Sequence, residues 1–275
     1  MTEQNDLIPR RPKVSIISIT YENLGGLQAT VASVMSQLAD KRDWELLIVD
    51  GGSKDGSLAY LEGISSVANW SSQRDRGVYH AMNIGLERSN GDFHMFLNAG
   101  DTFADTGSLN AVIQGLKTDP TWLVGGALHL NPGGKPFIVA NRPHQWQRHA
   151  LGLQPHCHQA CVFSTSLALA LGGYSETFGF AGDFDFILRI GLVSAPLELA
   201  EVIVRYEGGG RSAAGGLEIP QLLHRIRVER MQLGKLASII DTLVVRQQQA
   251  RQCAVKLKGT LLTKVPASRT ALADQ

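Results

Sequence analysis

The sequence predicts an α/β fold, a mostly parallel sheet with helices on both faces. Short β-branched runs, Lys13 to Thr20 (KVSIISIT) and Trp44 to Asp50 (WELLIVD), each end in polar residues, which is how strands buried on both faces read. Between such runs lie stretches with apolar residues at helical spacing, and alternation of the two patterns specifies a layered α/β sheet. The glycines, 29 in 275 residues, cluster in the turns between the apolar runs.

Taken in order, residues 1–12 form a polar lead with no apolar h-region, so no secretory signal is expected. After the first strand, Asn23 is an N-cap candidate and Leu27, Val31, Val34 and Leu38 mark one helical face. The turn Gly51-Gly52-Ser53-Lys54-Asp55-Gly56 follows the second strand and leads to a helix from Ser57, with Ser53 and Asp55 as its capping residues. Val78 to Arg88 reads as a helix, Phe93 to Leu97 as a strand and Leu199 to Tyr206 as another. The run His144 to His149 (HQWQRH) fits an amphipathic helix that packs Trp146 inward. Residues 221–275 read as a helical extension, almost free of glycine.

Composition narrows the class. With 44% hydrophobic and 19% charged residues the chain can fill a core and is not a disordered polymer. The net charge of +1 conceals a division: residues 221–275 hold ten basic and three acidic residues, +7, which leaves −6 on residues 1–220. Three cysteines make no disulfide framework, and no stretch reaches the roughly 18 apolar residues of a membrane span. A cytoplasmic protein is expected.

In such sheets ligands sit at the C-terminal strand edge, here Thr20-Tyr21-Glu22-Asn23, Asp50-Gly51-Gly52-Ser53 and Asn98-Ala99-Gly100-Asp101. The dinucleotide fingerprint, the P-loop and the G-x-S-x-G elbow are all missing from these ends. Carboxylates remain: Asp50, Asp101 and, further on, Asp183 and Asp185. They suit hydrogen bonds from a base or ribose, or Mg²⁺ or Mn²⁺ held against phosphate. The segment His156-Cys157-His158-Gln159-Ala160-Cys161 has the wrong spacing for a structural zinc site.

These motifs, VSIISITYEN, LLIVDGGSKDGS, RDRGVYHAMNIGLERSNGDFHMFLNAGD, CHQ and GGYSETFGFAGDFDFILRI, lie in order over roughly residues 13–190. Together they resemble a family 2 glycosyltransferase of the GT-A fold, in the subgroup that builds bacterial cell-surface polysaccharides and glycolipids. The resemblance implies a Rossmann-like GT-A domain over residues 13–220, with a donor half at about 13–105 and an acceptor half at about 106–220. It implies that Thr20, Tyr21 and Glu22 lie beside base and ribose, that Asp50 accepts from the base, and that Asp75 or Arg76 lies near the nucleotide-sugar. Asn98 and Asp101 fall in the family's D-x-D region, which makes Asp101 the ligand for Mg²⁺ or Mn²⁺; that region keeps only its last carboxylate here.

Asp183 matches the family's base motif, with Gly182 where a glutamate often stands. The implied reaction is a single displacement with inversion, Asp183 taking the proton of an acceptor hydroxyl. His158, Gln159 and Asp185 fall on the acceptor side, and His158 equally reads as a core histidine and Asp185 as a cap or ion pair. Arg211, in Gly208-Gly209-Gly210-Arg211-Ser212, reads either as a diphosphate contact or as part of a strand exit. The implied partners are a nucleotide-sugar and a glycan or lipid-linked acceptor. The basic tail suits either packing on its own domain or an anionic membrane surface at the inner face of the cell membrane; nucleic acid is not expected, because the tail lacks aromatic residues. Alternatives are a non-catalytic sugar-nucleotide binder and a sugar-phosphate nucleotidyltransferase, the latter wanting a phosphate loop that Tyr21-Glu22-Asn23 does not supply.

Overall fold

The computed structural model describes residues 13–130, 135–154, 156–208 and 218–262. Its strands are β1 (Val14–Thr20), β2 (Trp44–Asp50), β3 (Asn69–Ser72), β4 (Phe93–Phe96), β5 (Thr102–Phe103), β6 (Trp122–His129), β7 (Phe137–Val139), β8 (Cys161–Ser164) and β9 (Leu197–Tyr206). The helices are α1 (Leu24–Met35), α2 (Ser57–Gly63), α3 (Val78–Glu87), α4 (Ser108–Leu116), α5 (Trp146–Ala150), α6 (Thr165–Ala170), α7 (Gly182–Val193), α8 (Ile219–Met231) and α9 (Lys235–Leu262).

One sheet runs in the order β3-β2-β1-β4-β8-β6-β9-β5, with β7 paired to β6. The first four strands are mutually parallel, with Thr20 opposite Asp50 at the shared C-terminal edge. The second half is mixed: β8 runs antiparallel to β4 and β6, while β6 and β9 are parallel. The α/β prediction holds, and its parallel character belongs to the half built from strand-helix-strand units. β8 instead enters the sheet after α5 and a 3₁₀ turn, His158–Ala160.

Alternate residues of the central strands feed two cores. Ile16, Leu46 and Ile48 meet Leu27, Val31 and Val112 on one face, whereas Ile17, Leu47 and Val49 meet Met82, Leu86 and Phe186 on the other. Each such side chain, buried in full, contributes about 1.5–3 kcal/mol. Helix α3 lies close on the sheet because Gly85 leaves room; a Cβ there would stand 2.4 Å from Cγ2 of Ile17. Asn23 caps α1 as expected, its Oδ1 accepting from the Gly26 amide at 3.1 Å. Leu38 departs from expectation: α1 ends at Met35 and Leu38 lies 78% exposed beyond it. Trp146 donates through Nε1 to the Leu188 carbonyl at 3.2 Å, so it packs on α7.

The chain divides into two compact units, Met1–Ala214 and Gly215–Gln275. Within the second, α8 and α9 are tied at Asp241, which accepts from Nε of Arg227 at 2.9 Å and bonds Nδ1 of His224. Among the described residues no helix is long and apolar enough to cross a membrane.

Candidate active site

A cleft of about 990 Å³ opens at the C-terminal ends of β1, β2 and β4. Thr20, Tyr21, Gly51 and Asn98 come from those strand ends, and Lys54, Arg74, Asp75 and Arg76 from the turns after β2 and β3. Three cations and one carboxylate therefore share one wall, a pattern that suits a diphosphate beside a hydrogen-bonding base. Lys54 and Arg74 were not singled out from the sequence. The signal for Lys54 was its place in the Gly-rich turn after β2, whereas Arg74 becomes visible only once β3 is placed beside β2.

The turns are held by short polar side chains. Asp50 is fully buried, and its carboxylate accepts from the amides of Gly52 and Ser53 and from the hydroxyls of Ser53 and Ser72. These four donors make Asp50 the brace between its own turn and the end of β3. Asp75 is the carboxylate in the cleft. Its Oδ1 accepts from the Gly77 amide at 2.8 Å, and its Oδ2 lies where a Cβ on Gly51 would come within 2.7 Å, so the glycine is what lets it lie against the strand end.

Thr20 is buried and its hydroxyl meets no partner among the described residues, whereas Tyr21 is 62% exposed at the mouth. Glu22, with φ of 50°, turns back onto the loop after β2: its amide donates to Ser53 and its Oε1 accepts from the Lys54 amide at 2.9 Å. Asp55 caps Ser57 as expected and also accepts from the Leu24 amide. Asn98 lines the cleft with its Oδ1 unpartnered among the described residues. Thr30 of α1 holds the turn beyond it, donating to the Asp101 carbonyl at 2.7 Å and accepting from the Gly100 amide.

Asp101 follows that turn and is 5% exposed. Its Oδ1 accepts from the Glu207 amide at 3.1 Å, because β5 and β9 pair antiparallel and bring residue 207 to its side. Burial, reinforced by the nearby Glu207 carboxylate, pushes the Asp101 carboxyl up to about 7, against the Glu207 amide and the Gln159 side chain, which favour the charged form. Glu207 is exposed and its Oε2 stands where a Cβ on Gly100 would come within 2.7 Å. Among the described residues no three His, Cys, Asp or Glu side chains converge on a metal position. Two carboxylates at one strand end nevertheless fit a hard cation, which takes one or two carboxylates and completes its shell with phosphate and water.

Asp183 occupies the first turn of α7. Its Oδ1 accepts from the Tyr79 hydroxyl at 3.1 Å and from the Phe184 amide at 2.8 Å. Tyr79 belongs to α3, whose Val78 and Ala81 line the cleft. Gly182 has no space for a side chain, since a Cβ would stand 2.7 Å from the Ser175 carbonyl and 2.9 Å from the Tyr79 ring. Arg76, in the cleft, forms a two-pronged pair with Glu176 at 3.0 and 3.2 Å, linking the loop before α3 to the loop before α7.

Two residues on the acceptor side follow the second of their alternative readings. His158 is 3% exposed, bonds Tyr174 Oη at 2.9 Å and packs among Phe96, Phe163 and Tyr174, so it belongs to the core. Asp185 is fully buried and pairs with Arg189, whose other nitrogens donate to the Leu171 and Gly173 carbonyls. Gln159 stays half-buried beside Asp101 and Cys157. Arg211 lies outside the described residues.

Comparison with known proteins bears on the family and the fold. Residues 15–167 match the sequence model of glycosyl transferase family 2. An uncharacterized glycosyltransferase of Mycobacterium tuberculosis is 35% identical over 201 residues, 72% of this chain and 76% of that protein. A PGL/p-HBAD biosynthesis glycosyltransferase of Mycobacterium bovis is 28% identical over 188 residues, 65% of this chain and 69% of its own. Among solved structures, S. aureus TarS 1-349 in complex with UDP-GlcNAc superposes with a TM-score of 0.66 at 16% identity, covering 93% of this chain and 76% of that one. The mannosyltransferase PcManGT of Pyrobaculum calidifontis, in complex with GDP-Man and Mn²⁺, gives 0.60 at 19% identity, covering 92% and 80%. Those two establish the GT-A fold, and the family match with the mycobacterial relative establishes more: this chain belongs to glycosyl transferase family 2 and is a glycosyltransferase.

Proposed function

We propose that the protein transfers one sugar from a nucleotide-sugar to a hydroxyl of a cell-surface glycan or glycolipid intermediate, with inversion at the anomeric carbon. The observation that carries this reading is the single cleft at the β1, β2 and β4 ends that joins Asp75 to three cations. Asp75 accepts from the base, Lys54, Arg74 and Arg76 face the diphosphate, and Asn98 and Thr20 offer polar atoms along the way. Asp101 and Glu207 would hold Mg²⁺ or Mn²⁺, which supplies charge neutralisation to the leaving diphosphate when bound.

In the transfer step Asp183 takes the proton of the acceptor hydroxyl, whose oxygen forms the new bond to the anomeric carbon. The bond from that carbon to the diphosphate oxygen breaks, and its electron pair leaves with the nucleoside diphosphate. Cell-surface glycan chemistry rests on the kinship with the PGL/p-HBAD enzyme.

A thermal-shift panel of UDP-, GDP- and dTDP-sugars with and without Mn²⁺ tests the donor half. A ligand at about a hundred times its Kd stabilises by about 2.7 kcal/mol, or about 5 °C or more for a domain of this size. One nucleotide class should give that shift and the Asp75→Ala variant should lose it; no shift with any of them would refute the reading.

The second unit supports a bilayer contact. On α9, Leu236, Ile239, Ile240 and Leu243 are 72%, 59%, 55% and 58% exposed, and they recur at helical spacing within a basic segment. Flotation with vesicles containing anionic phosphatidylglycerol should fall sharply in the Leu236→Glu, Ile240→Glu double variant. Equal flotation of parent and variant would remove the membrane from the reading.

A further inference from the structure

We propose that Tyr79 is a positioning residue for Asp183, its phenol fixing which carboxylate oxygen is left to take the acceptor's proton. The proposal rests on the reading of Asp183 as the base and goes one residue beyond it. Both donors that reach the carboxylate, the Tyr79 hydroxyl at 3.1 Å and the Phe184 amide at 2.8 Å, converge on Oδ1. Among the described residues no hydrogen bond engages Oδ2. The carboxylate is thus anchored at one oxygen and presents the other, the arrangement a general base needs.

Three features make the phenol a dedicated donor. Tyr79 is 7% exposed, so water does not compete freely for its hydroxyl. Burial, and after it the Asp183 charge, pushes the phenol far above its ordinary value, so it keeps its proton across the working range. The ring is also wedged, lying parallel to Tyr174 with centroids 6.4 Å apart and pressed on Gly182, where an added Cβ would stand 2.9 Å from Cδ2 and Cε2. A side chain at residue 182 and the Tyr79 ring exclude each other, so the bare backbone at the start of α7 is what admits the donor.

Removing that donor has a specific consequence: the carboxylate would be held by the Phe184 amide alone, and its second oxygen would no longer be fixed toward the acceptor. The other titratable groups around Asp183 are His149 on α5, Cys157 and His158 before β8, Cys161 on β8, and Tyr174. Burial holds His149 and His158 down at about 4 and pushes Cys157 up to about 12, Cys161 and Tyr174 also upward, so these five stay neutral near pH 7. The fixed charges Asp185 and Arg189 on α7 neutralise one another.

The decisive measurement is a double-mutant cycle on the full chain with Tyr79→Phe, Asp183→Asn and the two combined. In Tyr79→Phe, which keeps the ring and its packing, kcat for nucleoside diphosphate release from the donor selected by the thermal-shift panel, with water as acceptor, should fall about tenfold, a fraction of the roughly 10²–10⁴ that general-base catalysis contributes, at unchanged donor KM. Added to Asp183→Asn, the same substitution should cost nothing further, because a residue that acts through the carboxylate is silent once the carboxylate is gone. A kcat within about twofold of the parent's would overturn the proposal, as would an equal further loss in the double variant. If Asp183→Asn keeps full turnover, the base reading itself fails, whatever Tyr79→Phe does. If Asp183→Asn is inactive and Tyr79→Phe leaves kcat in place, only the positioning role fails.

Discussion

Asp183→Asn should reduce sugar transfer by about a thousandfold while nucleotide-sugar binding stays within about twofold of the parent. General-base catalysis contributes roughly 10²–10⁴, and an amide cannot take the acceptor's proton. The side chain keeps its size and one oxygen to accept from Tyr79 and Phe184, so the start of α7 should persist. Binding is spared because Asp183 is not among the residues that line the donor cleft. The paired measurement is kcat in a coupled diphosphate-release assay against the thermal shift given by the same donor. Loss of both together would mean that the substitution disturbed the fold. Retained turnover would place the base elsewhere, with Glu207 as the next carboxylate to substitute.

The order of strands and helices was legible because it depends on local pattern. VSIISIT and WELLIVD could bury both faces only inside a sheet, and Asn23 capped the helix its position announced. The site was legible as a set of strand ends and illegible as a set of contacts. Asp50 and Asp75 look equally available in sequence, but Ser72 reaches Asp50 only after β3 is laid beside β2.

Glu207 and Tyr79 were invisible for the same reason. Each acts on a carboxylate about a hundred residues away, across the β5–β9 pairing or between α3 and α7. Gly182 shows the limit most plainly: as a sequence feature it is a missing glutamate, and as a structural one it is the space into which Tyr79 fits.

The fold should lose about 3 kcal/mol between pH 7 and pH 5.5, a large part of the 5–15 kcal/mol that holds a typical domain together. Burial holds His94 and His156 down at about 3 and His149 and His158 at about 4. Neither ring nitrogen of His94 finds a partner among the described residues, so a second proton there would meet no acceptor. Unfolded histidines titrate near 6.5. Below that value the unfolded chain binds protons that the folded chain refuses, so stability is present above about 6.5 and is lost as pH falls toward 4 and 3.

At pH 5.5 each ring costs a little over about 1 kcal/mol, and the four together at most about 5, since the nearby His149 already accounts for part of the depression of His156. Asp101 opposes them. Its carboxyl, raised to about 7, lets the folded chain bind a proton before the unfolded one, returning about 2 kcal/mol at pH 5.5. The histidines outweigh it, and the sign is acid-labile. Urea unfolding followed by tryptophan fluorescence at pH 7 and 5.5 gives the difference directly. His94→Leu should flatten the dependence by about a quarter of the histidine share, whereas an equal midpoint at both pH values would mean that these rings are charged and solvated in the native protein.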